Sequence, residues 1–374
     1  MVSPSEINKK VILAKAGSGK TTYITTDDAF NFKRIIYITY TNNNVANIKE
    51  HLSKNRNIST DHVLVCTYHT FLIKNFFQPF IREFQQYFES EFFLNSGLNW
   101  VEESVISRHK RFAKKENVTY WCDKQGRIYG NRLSSLIIEG KFASQFQESL
   151  QRLGKFCDLI VVDEFQDFTS ADAKFLKRLM TEFEKEVIFV GDLFQACVAT
   201  TAPRQSPYKD VRILDEEAFV RKRLNLPKTK VKVDLDSFVK SHRISTKVAN
   251  FVSTNLGIKI SSDGQHTGQV QYLDVENIDS LLEQTSKILV YKSVEKIPLK
   301  FRDKALTWKL SKGLTFDDTT VILTKSALDI LTNDKKLKEA SNAQINSLYV
   351  ALTRSLSNVF LITPNVWDNY KKKI

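Results

Sequence analysis

Apolar and β-branched residues gather in short runs along this chain: Val11–Leu13, Arg34–Thr39, Val63–Cys66, Leu159–Val162, Val187–Val190, Val231–Leu235, Lys287–Tyr291, Thr319–Leu323 and Val359–Ile362. Runs of this length without polar alternation predict strands buried on both faces, as in a parallel sheet. Helical periodicity fills most of the intervals, and strands alternating with helices predict an α/β fold with parallel sheets. Two stretches interrupt the alternation. Residues 72–157 carry Phe76, Phe77, Phe80, Phe84, Tyr87 and Phe88 at helical spacing, a stripe that predicts a packed helix face. A basic cluster follows (Arg108, Lys110, Arg111, Lys114, Lys115), which suits either a nucleic-acid backbone or a solvated helix face. Thr119–Tyr129 then predicts a β-hairpin turning at Asp123–Gly126. The second interruption, Thr201–Lys230, holds three of the seven prolines and predicts the connection between two α/β domains. The expected organisation is a first domain of residues 1–71 and 158–225, a mainly helical insertion at 72–157, and a second domain of residues 226–374.

Chemistry concentrates at two strand ends. After Val11–Leu13 the chain reads Ala14-Lys15-Ala16-Gly17-Ser18-Gly19-Lys20-Thr21-Thr22. Gly17 and Gly19 let the backbone curl so that successive N–H groups face phosphate oxygens. Lys20 adds charge for the β- and γ-phosphates, Thr21 a hydroxyl for Mg²⁺, and the helix that starts here favours an anion. Ala16 to Thr22 are thus the expected nucleotide cradle, departing from the strict phosphate-loop pattern only at Ala14. The second strand end is Leu159-Ile-Val-Val-Asp163-Glu164-Phe165-Gln166-Asp167. Open α/β sheets place ligands at such C-terminal ends. Two adjacent carboxylates suit a division of labour in which Asp163 holds Mg²⁺ and Glu164 polarises a water.

A formal net charge of +13 and a pI near 9.3 favour polyanionic partners through counterion release. Cys66, Cys122, Cys157 and Cys197 are scattered without a C-x-x-C pair, so reduced thiols of an intracellular protein, without a zinc site, are expected. No apolar run approaches the ~20 residues of a membrane span, and so early a first strand is expected to leave no room for a signal peptide. A cytoplasmic location without a membrane partner follows as the expectation.

Around these two sites the order of further motifs resembles the superfamily 1 helicases of the UvrD/Rep kind. The matching segments are Thr39-Tyr-Thr41-Asn42, Thr67-Tyr-His69-Thr-Phe71, Gly191-Asp-Leu-Phe-Gln195, Ser241-His242-Arg243, Thr307-Trp-Lys-Leu-Ser-Lys-Gly313-Leu-Thr-Phe and Tyr349-Val-Ala-Leu-Thr-Arg354. The resemblance implies two RecA-like domains with ATP and Mg²⁺ in the cleft between them. It implies that Thr39, Thr41, Asn42, Thr67, His69, Phe71 and Thr307 meet single-stranded DNA, with Phe71 stacking on a base or simply packing. Gln195 would sense the γ-phosphate, His242 would replace the aromatic that stacks on adenine, and Gly313 would approach the nucleotide. Arg243 and Arg354 would be arginine fingers, joining Lys20, Asp163, Glu164 and Gln195 in catalysis. The implied activity is DNA-stimulated ATP hydrolysis driving 3′–5′ movement on single-stranded or tailed double-stranded DNA, with RNA left open. An alternative is a motor-like ATPase that serves a nuclease partner in repair or phage defence and unwinds little by itself. A binding module without catalysis is a further alternative, against which the complete catalytic set argues. The chain departs from the family in three ways. No glutamine precedes the first strand, Thr315 stands where a glutamate is usual, and the stretch between Thr246 and Thr307 is too short for the usual large accessory domain.

Overall fold

In the computed structural model, the described residues are 8–54, 62–89, 97–101, 105–106, 114–196 and 213–373. Arg108, Lys110, Arg111, Cys197 and residues 201–212 of the expected connection lie outside them. The strands are β1 (Lys9–Ala14), β2 (Ile35–Thr39), β3 (Val63–Thr67), β4 (Leu98–Asn99), β5 (Ile128–Tyr129), β6 (Leu159–Asp163), β7 (Glu186–Gly191) and β8 (Lys232–Phe238). They continue with β9 (Lys240–Ser241), β10 (Ser261–Ser262), β11 (Val270–Tyr272), β12 (Lys287–Val290), β13 (Ala305–Thr307), β14 (Thr319–Ile322) and β15 (Val359–Ile362). Every apolar run singled out in the sequence forms one of these strands.

Two large parallel sheets result, with two small two-stranded ones beside them, which establishes the expected α/β class. The first has the order β3-β2-β6-β7-β1-β8 and the second β11-β15-β14-β12-β13. Successive residues of a strand point to opposite faces, and the core divides accordingly. Val11, Leu13, Ile36, Ile38, Ile160 and Val162 enter one apolar cluster, while Ile12, Ile35, Tyr37, Val161 and Val190 enter another on the opposite face of the first sheet. Burial on both faces is why these strands read as continuous apolar runs.

One strand is not where the sequence suggested. Val231–Leu235 was expected to open the second domain. Instead β8 pairs with β1, Lys10 opposite Lys232 and Val11 opposite Val233, and completes the first sheet. A buried strand announces its existence through its composition, but nothing in that composition names its neighbour.

The insertion packs through its phenylalanines. Ile73–Phe77 form a π-helical turn, Gln78–Phe80 a 3₁₀ turn and Ile81–Phe88 an α-helix. Phe76, Phe77, Phe80, Phe84 and Phe88 are buried as expected, whereas Tyr87 is exposed beneath the ammonium of Lys141. The Asp123–Gly126 turn forms, closed by the Gly126 N–H on the Asp123 carbonyl at 3.1 Å. Its upstream arm is helical at Val118–Trp121, because the Asn117 side chain accepts from the Thr119 N–H and caps it. Only a Cys122–Ile128 bridge remains of the expected hairpin, and β5 pairs in parallel with β4. Cys66 and Cys157 are free thiols, and both are buried, as is Cys122. Among the described residues, no helix is long and apolar enough to cross a membrane.

Candidate nucleotide site and strand-end face

The loop from Lys15 to Gly19 joins β1 to the helix Lys20–Thr26. Gly17 and Gly19 take left-handed φ values of +70° and +80°, which a side chain would strain. At Gly17 space matters as well, since an added Cβ would lie 2.6 Å from the Cβ of Arg243. The Ser241–Arg243 segment is thus seated on this loop. The Ser241 hydroxyl donates to the Ala16 carbonyl at 2.7 Å, and the His242 N–H donates to the Gly17 carbonyl at 2.8 Å. The Tyr349 hydroxyl accepts from the Ala16 N–H at 2.8 Å and donates to Asp192 at 3.2 Å. Asp192 in turn accepts from the Gln195 amide at 2.8 Å. The sequence reading gave Tyr349 and Asp192 no role of their own, yet they link the phosphate loop to the Gln195 turn.

Strand β6 delivers the two carboxylates. Asp163 ends the strand, and Glu164 follows with φ +54°, an uncommon backbone state for a residue with a Cβ. Glu164 is gripped by Lys20 on one oxygen and by Lys312 on the other, the latter at 3.2 Å. Burial alone would raise the Glu164 carboxyl, but the two ammonium groups hold it well below the usual carboxylate range. Burial acts with less opposition on Asp163 and pushes it up to about 6. Lys312 also pairs with Asp167 at 2.8 Å. The Gln166 amide donates to Glu164, and Gly191 makes room for it, since a Cβ there would fall 2.0 Å from Gln166 Oε1. The contacts of Lys312 cross between the two halves of the chain. No local spacing in the sequence signals such a partner.

Among the buried oxygens without a hydrogen-bond partner in the described residues are Asp163 Oδ1 and Ser18 Oγ. An orphaned carboxylate oxygen at the sheet's C-terminal edge fits a divalent cation, and an orphaned hydroxyl in the loop fits a phosphate oxygen. Thr21, half-buried at the start of the helix, is the further candidate for the ion. Thr22 is exposed beside it.

Arg243 and Arg354 approach from the second half of the chain. Arg354 follows the helix Asn342–Leu352 and is fully buried, its guanidinium donating to the Val350 carbonyl at 2.9 Å and the Thr353 hydroxyl at 3.1 Å. Burial, followed by the neighbouring charge of Arg243, lowers it to about 9. Burial also lowers Arg243. The His242 imidazole holds Asp263 at 2.8 Å and stands beside Gly19 at the mouth of the loop. Gly313 has φ +82° and open space around its Cα.

The residues expected to meet nucleic acid divide. Thr39 and Thr67 are register partners at the ends of β2 and β3, with Thr41 and Asn42 at the start of the adjoining helix. The Thr39 hydroxyl is engaged by Asn44 at 3.2 Å, and Thr67 caps its own helix through the Thr70 N–H. Phe71 takes the packing alternative. It is wholly buried, with Phe76 centred 5.5 Å away and Phe175 6.4 Å away, so it packs in the core and has no face for a base. His69 is nearly covered as well. Only 8% of it is exposed, and its ring lies under the Trp100 indole. Burial lowers His69 to about 4 despite a hydrogen bond with the Gly130 backbone, so the ring is neutral. Thr307 stands apart at the end of β13, an edge strand of the second sheet, accepting from the Leu310 N–H at 3.3 Å.

A family model described as an AAA domain matches residues 4–200, and one described as the viral superfamily 1 RNA helicase core domain matches residues 138–363. Among solved structures the chain is similar to the arterivirus nonstructural protein 10 helicase in complex with DNA. The identity is 13% and the TM-score 0.48, over 95% of this chain and 61% of that one. A crystal structure of the same arterivirus helicase gives 13% and 0.48, over 95% and 60%. The chain therefore spans about three fifths of that helicase's length. No curated protein matches.

Proposed function

Because the chain belongs to the superfamily 1 helicase core family, we propose that it is an ATP-hydrolysing motor on single-stranded nucleic acid and, more finely, a 3′–5′ DNA translocase or helicase of the UvrD/Rep type. One observation carries the catalytic reading. Arg354 is fully buried and Arg243, half-buried, abuts the phosphate loop, and neither has a carboxylate at ion-pair distance among the described residues. Burying cations without a partner is costly. The triphosphate of ATP is the anion that would compensate them.

In this reading Lys20 and the N–H groups of the Gly17–Thr21 loop bind the β- and γ-phosphates. Mg²⁺, when held by Thr21 and Asp163, supplies charge neutralisation on the phosphate oxygens. Glu164, kept deprotonated by its lysines, accepts the proton of the attacking water. Lys20 turns from Glu164 to phosphate as ATP binds, which frees that carboxylate oxygen. Gln195, oriented by Asp192, aligns the water. Arg243 and Arg354 stabilise the charge that develops on the transferred group, an effect worth ~10³–10⁵ in rate for arginine fingers. The Ser241–Arg243 segment touches the loop directly, so nucleotide turnover is coupled to movement between the halves, and that movement is the proposed source of translocation.

The test is hydrolysis of all four NTPs with and without single-stranded DNA and RNA, RNA being included because the matched family model is described by RNA helicases. Stimulation by polymer, lost in Glu164→Gln while nucleotide binding persists, is expected. Normal turnover in that variant would overturn the base assignment. Duplexes tailed at the 3′ or the 5′ end check the direction.

A further inference from the structure

We propose that Trp100 is a stacking platform for a base of single-stranded nucleic acid, contributed by the insertion and seated on His69. The inference rests on the motor reading above and adds a binding residue to it. Of the four tryptophans, Trp121, Trp308 and Trp367 are buried, while Trp100 is 53% exposed. A large indole left in water directly after a strand asks for a ligand more than a scattered leucine does.

The ring is held in place. It meets the His69 imidazole edge to face, centroids 4.5 Å apart at 84°. On its other flank is Gly130, the first residue of the helix Gly130–Ile137, where an added Cβ would come within 2.6 Å of the indole. Pairing of Leu98 with Ile128 and Asn99 with Tyr129 fixes the backbone that leads into Trp100. The Asn99 amide donates to Asp123 at 2.6 Å and ties that backbone to the Asp123–Gly126 turn.

Its location argues for nucleic acid over an apolar protein segment. His69 follows β3 at the C-terminal edge of the first sheet, the edge that also carries the phosphate loop, and Thr67 pairs there with Thr39. His69 is covered and neutral, so it has no face to offer. Trp100 covers it and presents one. Every base has a π-face, so a single aromatic ring grips a strand without reading its sequence.

The experiment is a titration of the full chain with end-labelled oligo-dT and oligo-rU, recording label anisotropy and tryptophan emission together. Binding is expected to quench emission, because Trp100 is the exposed indole. Trp100→Phe should bind within about threefold of the parent but without the quench. Trp100→Ala should bind about tenfold more weakly, within the range that base–aromatic stacking supplies. Circular dichroism checks that both variants fold, and Trp100→Phe suffices if the alanine variant does not. The two oligonucleotides distinguish DNA from RNA at the same platform. Binding by the parent with unchanged emission, or undiminished binding by folded Trp100→Ala, overturns the proposal and leaves the motor reading standing. No binding of either polymer overturns both.

Discussion

Lys312 Nζ lies 3.2 Å from Glu164 Oε2, one residue from each half of the chain. With Lys20 on the other oxygen and Asp167 on the same lysine at 2.8 Å, the proposed catalytic base is clamped in part by a residue of the other half of the chain. Lys312 is therefore a positioning residue, and its removal has a defined sign. Loss of a cation makes the Glu164 carboxylate less favourable and raises its pKa. Lys312→Met is expected to move the acidic limb of the kcat–pH profile to higher pH and to lower kcat at neutral pH by about tenfold, the size of one charge-assisted hydrogen bond. An unmoved limb would sink the assignment.

Arg354 makes a separate prediction. Arg354→Gln should slow single-turnover hydrolysis by ~10³, while affinity for a fluorescent ATP analogue stays within a few-fold. The side chain is fully buried and bonded to Val350 and Thr353, so the melting temperature should fall as well. A large loss of affinity with turnover retained would contradict the finger role.

Asp172 supplies a pH-dependent stability. It is buried beneath the insertion, accepting from the Ser134 hydroxyl at 2.5 Å, and burial pushes it up to about 7 from an ordinary 3.8. Between those values the folded chain keeps a proton that the unfolded chain has released, so stability falls as pH rises through that window. Asp172→Asn removes the titration. It is expected to stabilise the protein by roughly 2–4 kcal/mol at pH 8, with the gain shrinking to nothing near pH 4. Thermal melts across that range decide it.

Gly191→Ala tests the packing around Glu164 with a single carbon. The added Cβ would meet Gln166 Oε1 at 2.0 Å and Phe165 at 2.9 Å, driving Gln166 away from the carboxylate it supports. A stability loss of about 1–3 kcal/mol is expected from overpacking, with a fall in turnover that exceeds any change in nucleotide affinity. Melting curves and steady-state hydrolysis measure the two effects.

Particular residues show what could be read before the fold was known. Gly17, Lys20, Asp163 and Glu164 were legible because a loop or strand end keeps chain neighbours together in space. The strands were legible because burial on both faces leaves an uninterrupted apolar run. The neighbour of β8 was not, since Val231 and Val233 would look the same in either sheet. The state of His69 was not legible either, because the residue that covers it belongs to the insertion, far along the chain. Phe71 shows the limit of motif reasoning, since an aromatic that packs and one that stacks carry the same letter. Lys312 stood inside a recognised segment, but its partners lie on the other half of the chain.

The placement of β8 has a mechanical consequence. Strands β1 to β3 and β6 to β8 belong to the first sheet and β11 to β15 to the second, so the backbone passes between the sheets once, just beyond Phe238. The stretch from Phe238 to Arg243 is a leash of about five peptide units, each extending at most ~3.6 Å. Phe238 itself is fastened to the loop, its carbonyl accepting from the Lys15 N–H at 2.8 Å. Arg243 can therefore withdraw from the phosphate loop only along a short arc about that tether. A single proteolytic nick in the leash would leave two fragments joined only by non-covalent contacts, the His242 N–H on the Gly17 carbonyl among them.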